Sequence, residues 1–193
     1  MAMKPPHAPL PPGGAEDFFD AAARGDVDVV RKFLKQYPRL RDDNSSPTAA
    51  TAIILAAKEG RLEVVKLLAE AGANLRAGDR GDQSALFYAA YKGEAAVARF
   101  LISLGVDPRA PNRSGQSPAM MARAADLPMF ADEMEKQYDQ YLADKLEAER
   151  RARAEKEELH RQNVQDVTTA VKDGVKTQVA APTTASFRKG RAP

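Results

Sequence analysis

Apolar positions along this chain come in paired runs, each pair split by a glycine. Phe18, Phe19, Ala21 and Ala22 precede Gly25, and Val27, Val29, Val30, Phe33 and Leu34 follow it. The spacing of three and four residues predicts a helix, a tight turn and an antiparallel helix whose facing sides are apolar. Ala56, Ala57, Gly60, Val64, Val65, Leu67 and Leu68 repeat the pattern, as do Ala89, Ala90, Gly93, Val97, Phe100 and Leu101. The segment "TAIILAAKEGRLEVVKLLAEAGANLRA" from Thr51 lies over "SALFYAAYKGEAAVARFLISLGVDPRA" from Ser84 with an offset of 33 residues, whereas the first unit is offset by 35. That difference implies an insertion of two residues within "RDDNSSPTAA".

Each recurring position has a physical role. Paired alanines let two helices approach closely. The glycine after them takes a backbone angle that a Cβ would strain, and Gly72 and Gly105 are expected to end the second helices as left-handed caps. One such hairpin leaves an apolar flank bare, so neighbours must stack to cover it. Leu68 and Leu101 are expected in the core between the helices.

These residues resemble the ankyrin repeat. "TAIILAAKEGRLEVVKLLAEAGANLRAGDRGDQ" follows that family's run of Ala-Ala, Gly, Val-Val-x-Leu-Leu and Gly-Ala-Asn, and "SPAMMARAADLPMFADEM" keeps its Ser-Pro and Ala122 but has Asp126 at the turn glycine. The resemblance covers four units over residues 15–135, the outer two degenerate. It implies an all-α solenoid of helix-turn-helix units, and the composition beyond it adds a long C-terminal helical extension. The family's opening proline and histidine are replaced by Ala52 and Ile54, then by Ala85 and Phe87, and the last unit has Pro118 and Met120. Loss of that histidine predicts looser loops and stability that leans on packing. The hairpin glycine of the family stands at Gly115, but Asp82 and Ala49 take its place in the preceding units.

The flanks read differently. Residues 1–14 are rich in proline and glycine and predict a disordered tail. Residues 131–163 form a charged helical stretch of strong helix formers, with Met134, Tyr138, Leu142 and Leu146 as one apolar stripe expected to cap the last unit and shield Met120, Met121 and Met129. Residues 164–193 place valines at helical spacing around Gly174 and end in Arg188, Lys189 and Arg191; they are expected to be a largely disordered basic tail.

Composition narrows the function. The chain has 193 residues, a formal net charge of +2 and no cysteine, so disulfides and thiolate ligands are excluded. Without an apolar stretch that could span a bilayer or serve as a leader, a cytoplasmic location is expected. The two histidines, His7 and His160, lie in a tail and on the charged helix, and the sequence carries no metal-ligand cluster, phosphate loop or nucleophile elbow. No enzymatic activity, cofactor or metal is expected, and acidic pairs such as Asp42 and Asp43 read as solvated loop residues. Arg-Gly-Asp occurs at Arg24, Gly25, Asp26 and again at Arg80, Gly81, Asp82, both at expected turns.

The resemblance implies instead a binding surface on the concave side, where hairpin tips and first-helix ends meet. The corresponding residues are Arg24; Lys58 and Glu59; Arg80, Gln83, Tyr91 and Lys92; Arg113 and Gln116. Their charge is mostly positive, which fits a protein partner with an acidic surface or peptide, with no nucleic acid expected. The reading is a non-enzymatic protein-protein interaction adaptor. The alternatives are a structural protein that forms homo-oligomers through the C-terminal helix, or a secreted bacterial ankyrin effector.

Overall fold

The computed structural model of the chain describes residues 14–46 and 48–179. Eight α-helices lie among them: α1 (Glu16–Arg24), α2 (Val27–Gln36), α3 (Ala52–Lys58), α4 (Leu62–Glu70), α5 (Ala85–Lys92), α6 (Ala95–Ser103), α7 (Pro118–Ala124) and α8 (Pro128–Val179). The chain divides into two compact units, the first reaching Asp144 and the second starting at Lys145.

In the first unit the odd-numbered helices α1, α3, α5 and α7 form an inner row, each packed on the next. The even-numbered helices lie behind it, with α2 on α4 and α4 on α6. Alanine explains the inner row. Ala21, Ala22, Ala56, Ala57, Ala89, Ala90, Ala119 and Ala122 are fully buried, so the backbones meet without large side chains between them. Ile53, Leu68, Leu86, Leu101 and Ile102 fill the space behind, and Leu68 and Leu101 are wholly inaccessible, as the periodicity predicts.

The turns inside the units need left-handed backbone. Gly25, Gly60 and Gly93 have φ of 91°, 68° and 74°, and Asp126, which replaces the glycine in the last unit, takes φ 62°. The two extra residues of the first unit are absorbed after α2. There a 3-10 turn over Pro38–Asp42 takes the place of a glycine cap and buries Leu40. Asp42 is more than a solvated loop residue, since its Oδ1 accepts the Asn74 N–H at 2.6 Å and so ties the first repeat to the second. Asp43 is likewise engaged, accepting the Ser45 N–H at 2.8 Å.

The hairpins between units are hydrogen-bonded, contrary to the looser loops expected from the missing histidine. Asp79 Oδ1 accepts the N–H groups of Gly81 and Gln83, and Asn112 Oδ1 accepts those of Ser114 and Gln116, all at 2.9–3.0 Å. The aspartate or asparagine folds its own hairpin, a task that needs no histidine. Each tip also bonds its predecessor, Arg80 N–H to the Thr48 carbonyl and Arg113 N–H to the Gly81 carbonyl, both at 3.3 Å.

The first residues of α8 close the C-terminal end of the row. Ala131 and Met134 are buried, and Tyr138 packs against the same core. Leu142 and Leu146 do not join them. They are 42% and 49% exposed, so the capping stripe ends earlier than the sequence pattern suggests. Steps of four residues turn 400° around a helix, so a 134, 138, 142, 146 series drifts off its face, whereas Ala131, Met134, Tyr138 and Tyr141 alternate threes and fours and stay on it. The cap also leaves Met120 and Met129 open to solvent, the latter at 79% exposure, contrary to the shielding expected of it.

In the second unit α8 runs as a single helix. Ion pairs at three- and four-residue spacing line it, with Arg151 on Glu147, Arg153 on Glu157 and Arg161 on Glu158. The backbone stays helical through Val179, beyond the boundary at residue 163 expected from the pattern. Thr168 and Thr169 return their hydroxyls to the carbonyls of Val164 and Gln165, which satisfies polar groups that otherwise compete with the helix. Residues 1–13 and 180–193, which include nearly all of the expected N-terminal tail and the basic end of the C-terminal one, lie outside the described residues.

Candidate functional site

Tyr88 joins one hairpin to the inner helix behind it. Tyr88 projects from the middle of α5 so that its phenolic oxygen sits 2.7 Å from Asp79 Oδ2 and 2.7 Å from the Gln83 side-chain oxygen. A phenol has one proton to give, and the carboxylate is the stronger acceptor. Turning the Gln83 amide over presents its NH₂ to the phenolic oxygen and satisfies both groups. Partial burial, then the hydrogen bond and the charge of Asp79, push the Tyr88 hydroxyl up to about 12. Lys58, from α3, places its ammonium 5.6 Å from the centre of the Tyr88 ring, within cation–π range.

Two of the expected residues share α5 with Tyr88. Tyr91 and Lys92 lie three and four residues beyond it on α5, hence on the same side of that helix. Tyr91 is 48% exposed and Lys92 is exposed. Arg80 and Arg113 stand at the tips of successive hairpins, both exposed, and neither forms an ion pair with the described residues. Gln116 is exposed beside the second tip, while its counterpart Gln83 is half-buried and taken up by Tyr88. The Asp82 carboxylate folds back over Gly78, where a Cβ would meet Asp82 Oδ1 at 2.6 Å. Arg24 is the outlier. It is locked to Asp26 across the α1–α2 turn at 2.9 Å, which also accounts for the first Arg-Gly-Asp tripeptide as a turn closed on itself. Glu59 is exposed at the end of α3, and its carboxylate bonds nothing among the described residues.

Sequence reasoning missed Tyr88 and Asp79. Tyr88 follows Ser84 by four residues and precedes Tyr91 by three, so it carries the helical spacing of the face. That was the signal available. Asp79 is marked only by its equivalence to Asn112 and Ser46 in the neighbouring hairpins.

The cap shows the contrasting electrostatics. Arg123 bridges Asp132 and Glu135, Arg109 binds Asp139 at 2.8 Å, and Arg99 binds Glu133 at 2.7 Å. The Arg99 guanidinium holds the Glu133 carboxyl below the usual carboxylate range, chiefly through that hydrogen bond. These arginines are occupied within the fold, unlike those at the hairpin tips. Among the described residues, no group of three or more His, Asp or Glu side chains is placed to hold a metal ion, and no helix is long and apolar enough to cross a membrane.

Paired antiparallel helices in a stacked row, joined by hydrogen-bonded hairpins that project from one side, define a helical repeat solenoid. A family model described as ankyrin repeats (3 copies) matches residues 18–122. The chain belongs to the ankyrin repeat family, whose members are generally modules for protein–protein interaction and typically have no enzymatic activity of their own. No curated protein showed a significant match to the chain.

Proposed function

We propose that this chain is a non-enzymatic adaptor that binds a protein partner on the face formed by the hairpin tips and the inner-helix ends. One observation carries the reading: Arg80, Lys92 and Arg113 extend from two adjacent repeats without a carboxylate partner among the described residues, and Tyr91, next to Lys92 on α5, is exposed as well. Unpaired cations beside a rigid amphipathic ring are the components from which interface anchors are made. They favour an acidic surface on the partner.

The test is a comparison of binding surfaces on one protein. Binders selected against the full chain from a displayed library are measured on three variants: Tyr91→Ala, Arg80→Glu with Arg113→Glu, and Lys156→Glu with Arg161→Glu. Tyr91→Ala speeds dissociation at any salt. The double arginine variant slows association, most visibly at low ionic strength. Loss confined to the Lys156 and Arg161 variant assigns recognition to α8 and ends the present reading.

A second reading has its own observation. Leu142, Leu146, Leu159, Val164 and Val171 of α8 are all largely exposed, so the helix itself could pair with another chain. Measurement of solution mass with and without residues 145–193 decides this; a monomer in both cases excludes self-association through the helix.

A further inference from the structure

Building on that reading of the face, we propose that its preferred ligand is a polyproline-type segment of the partner protein with a carboxylate at every third residue. The argument starts from the register of the hairpins. Arg80 and Arg113 occupy the same position in successive units, and each donates its backbone N–H to the hairpin before it. The tips therefore advance by one repeat at a time. The repeat step is set by the direct packing of α5 on α7, and packed helices lie about 8–10 Å apart.

An extended ligand must match that step with side chains on a single face. A polyproline II helix has three residues per turn and rises ~3.1 Å per residue, so its positions i and i+3 share a face at a separation of ~9 Å. A β-strand offers same-face positions at ~6.7 Å or ~13 Å, one too short and the other too long. The polyproline register is thus the one in which carboxylates meet Arg80 and Arg113 together.

The rest of the face suits the same ligand. Tyr91 offers an exposed ring for proline to pack on, as aromatic side chains do in other grooves that bind such helices. Lys92, next to it, and Lys58, above Tyr88, extend the positive field along α3 and α5. A polyproline helix has no internal hydrogen bonds, so its carbonyls remain free for a donor such as the exposed Gln116 amide. Of the acidic groups nearest the tips in sequence, the Asp79 carboxylate accepts the Tyr88 hydroxyl and two hairpin N–H groups, and the Asp82 carboxylate is turned back over Gly78. Because the ligand is already extended in water, little ordering opposes its capture.

Fluorescein-labelled twelve-residue peptides test this against the full-length protein by anisotropy at low and high salt. Each has a proline-rich host and carries aspartates at every second, every third or every fourth residue; a helical control peptide carries them at every seventh. The third-residue peptide is expected to bind about tenfold tighter than the others at low salt. Arg80→Gln and Arg113→Gln should each abolish the preference between registers, and Tyr91→Ala should weaken all the proline-rich peptides alike. Equal affinities, a preference for another register or for the helical control, or no binding by any peptide overturns the proposal. If the peptides bind without register preference but still respond to Tyr91→Ala and Arg113→Gln, the ligand class is wrong and the face is right. Indifference to all three substitutions overturns the face as well.

Discussion

The Tyr88 hydroxyl donates to the Asp79 carboxylate at 2.7 Å, and through that bond the inner helix α5 holds the hairpin in front of it. Asp79 in turn organises the hairpin through two backbone N–H groups. Tyr88→Phe removes the link and keeps the ring. The cost should be about 1–2 kcal/mol, since a hydrogen bond to a charged group is lost at a half-buried site. The pH dependence has a definite sign. A phenol raised to about 12 in the fold and near 10 when unfolded contributes stability that is complete below about pH 10 and disappears as pH rises through about 12. Burial raises Tyr138 too, so the difference between wild type and Tyr88→Phe isolates the Tyr88 share. Denaturant melts at pH 8 and pH 11 check this; a difference that does not shrink at the higher pH would mean the bond contributes nothing.

Ala49 sits at φ 58°, the position that Gly115 occupies in the last hairpin at φ 78°. A left-handed alanine costs roughly 1–2 kcal/mol in the fold, while glycine adds about 0.4–1 kcal/mol of freedom to the unfolded chain. The balance favours Ala49→Gly by somewhat under 1 kcal/mol. Thermal melting should show a midpoint higher by about 3 °C. Asp82 has φ 63° but belongs to a residue type that tolerates this region, so Asp82→Gly should gain less. A larger gain at Asp82 than at Ala49 would reverse the assignment of strain.

Most of the architecture was legible because alanine pairs and turn glycines answer to local geometry, which a sequence records directly. Gly25, Gly60 and Gly93 each stand where left-handed backbone is required, and the gap between offsets of 35 and 33 foretells the altered turn after α2. The hairpins were less legible. Asp79 and Asn112 are isolated polar residues five positions ahead of a helix cap, and the reason for them appears only once the backbone N–H groups converge on their side chains. Of the residues proposed for the face, Arg80 and Arg113 stand out in the sequence because they recur 33 residues apart, while Tyr91 and Lys92 take the positions of Lys58 and Glu59 in the preceding repeat. Arg24 was placed with them by repeat alignment, which does not register its ion pair with Asp26 two residues away.

Thr51 opens the second unit with a buried hydroxyl that has no hydrogen-bond partner among the described residues. Ser84 and Ser117 do better at the same position, their hydroxyls accepting the N–H of Phe87 and Met120 at 3.3 Å. In the second unit the Ile54 N–H goes to the Thr51 carbonyl instead. An unmet buried hydroxyl is a net cost, and valine has nearly the same shape without it. Thr51→Val should therefore raise stability by about 1 kcal/mol. A fall in the chemical denaturation midpoint would show that the hydroxyl is engaged after all.

The cap on the last unit makes the most discriminating prediction, because the sequence pattern and the structure divide α8 at different places. The pattern extends the capping stripe to Leu146, whereas packing ends with Tyr138 and Tyr141, whose rings stack at 6.0 Å; Tyr141 also lies so close to Gly105 that a Cβ there would touch its hydroxyl. Truncation after residue 133 removes Met134, which is almost wholly buried, the Gln137 bond to the Arg99 carbonyl and the Arg109–Asp139 pair. Loss of a methionine-sized core side chain alone costs about 2–5 kcal/mol, while the exposed ion pair orients the helix more than it stabilises it. Truncation after residue 144 keeps every one of these contacts and should melt with the full chain. Leu142→Ser with Leu146→Ser should also leave the midpoint unchanged, since both side chains face solvent. Met134→Ala should reproduce most of the loss seen on truncation after residue 133. Equal midpoints for the two truncations would detach the start of α8 from the repeats. A loss caused by the serine pair would restore the longer stripe.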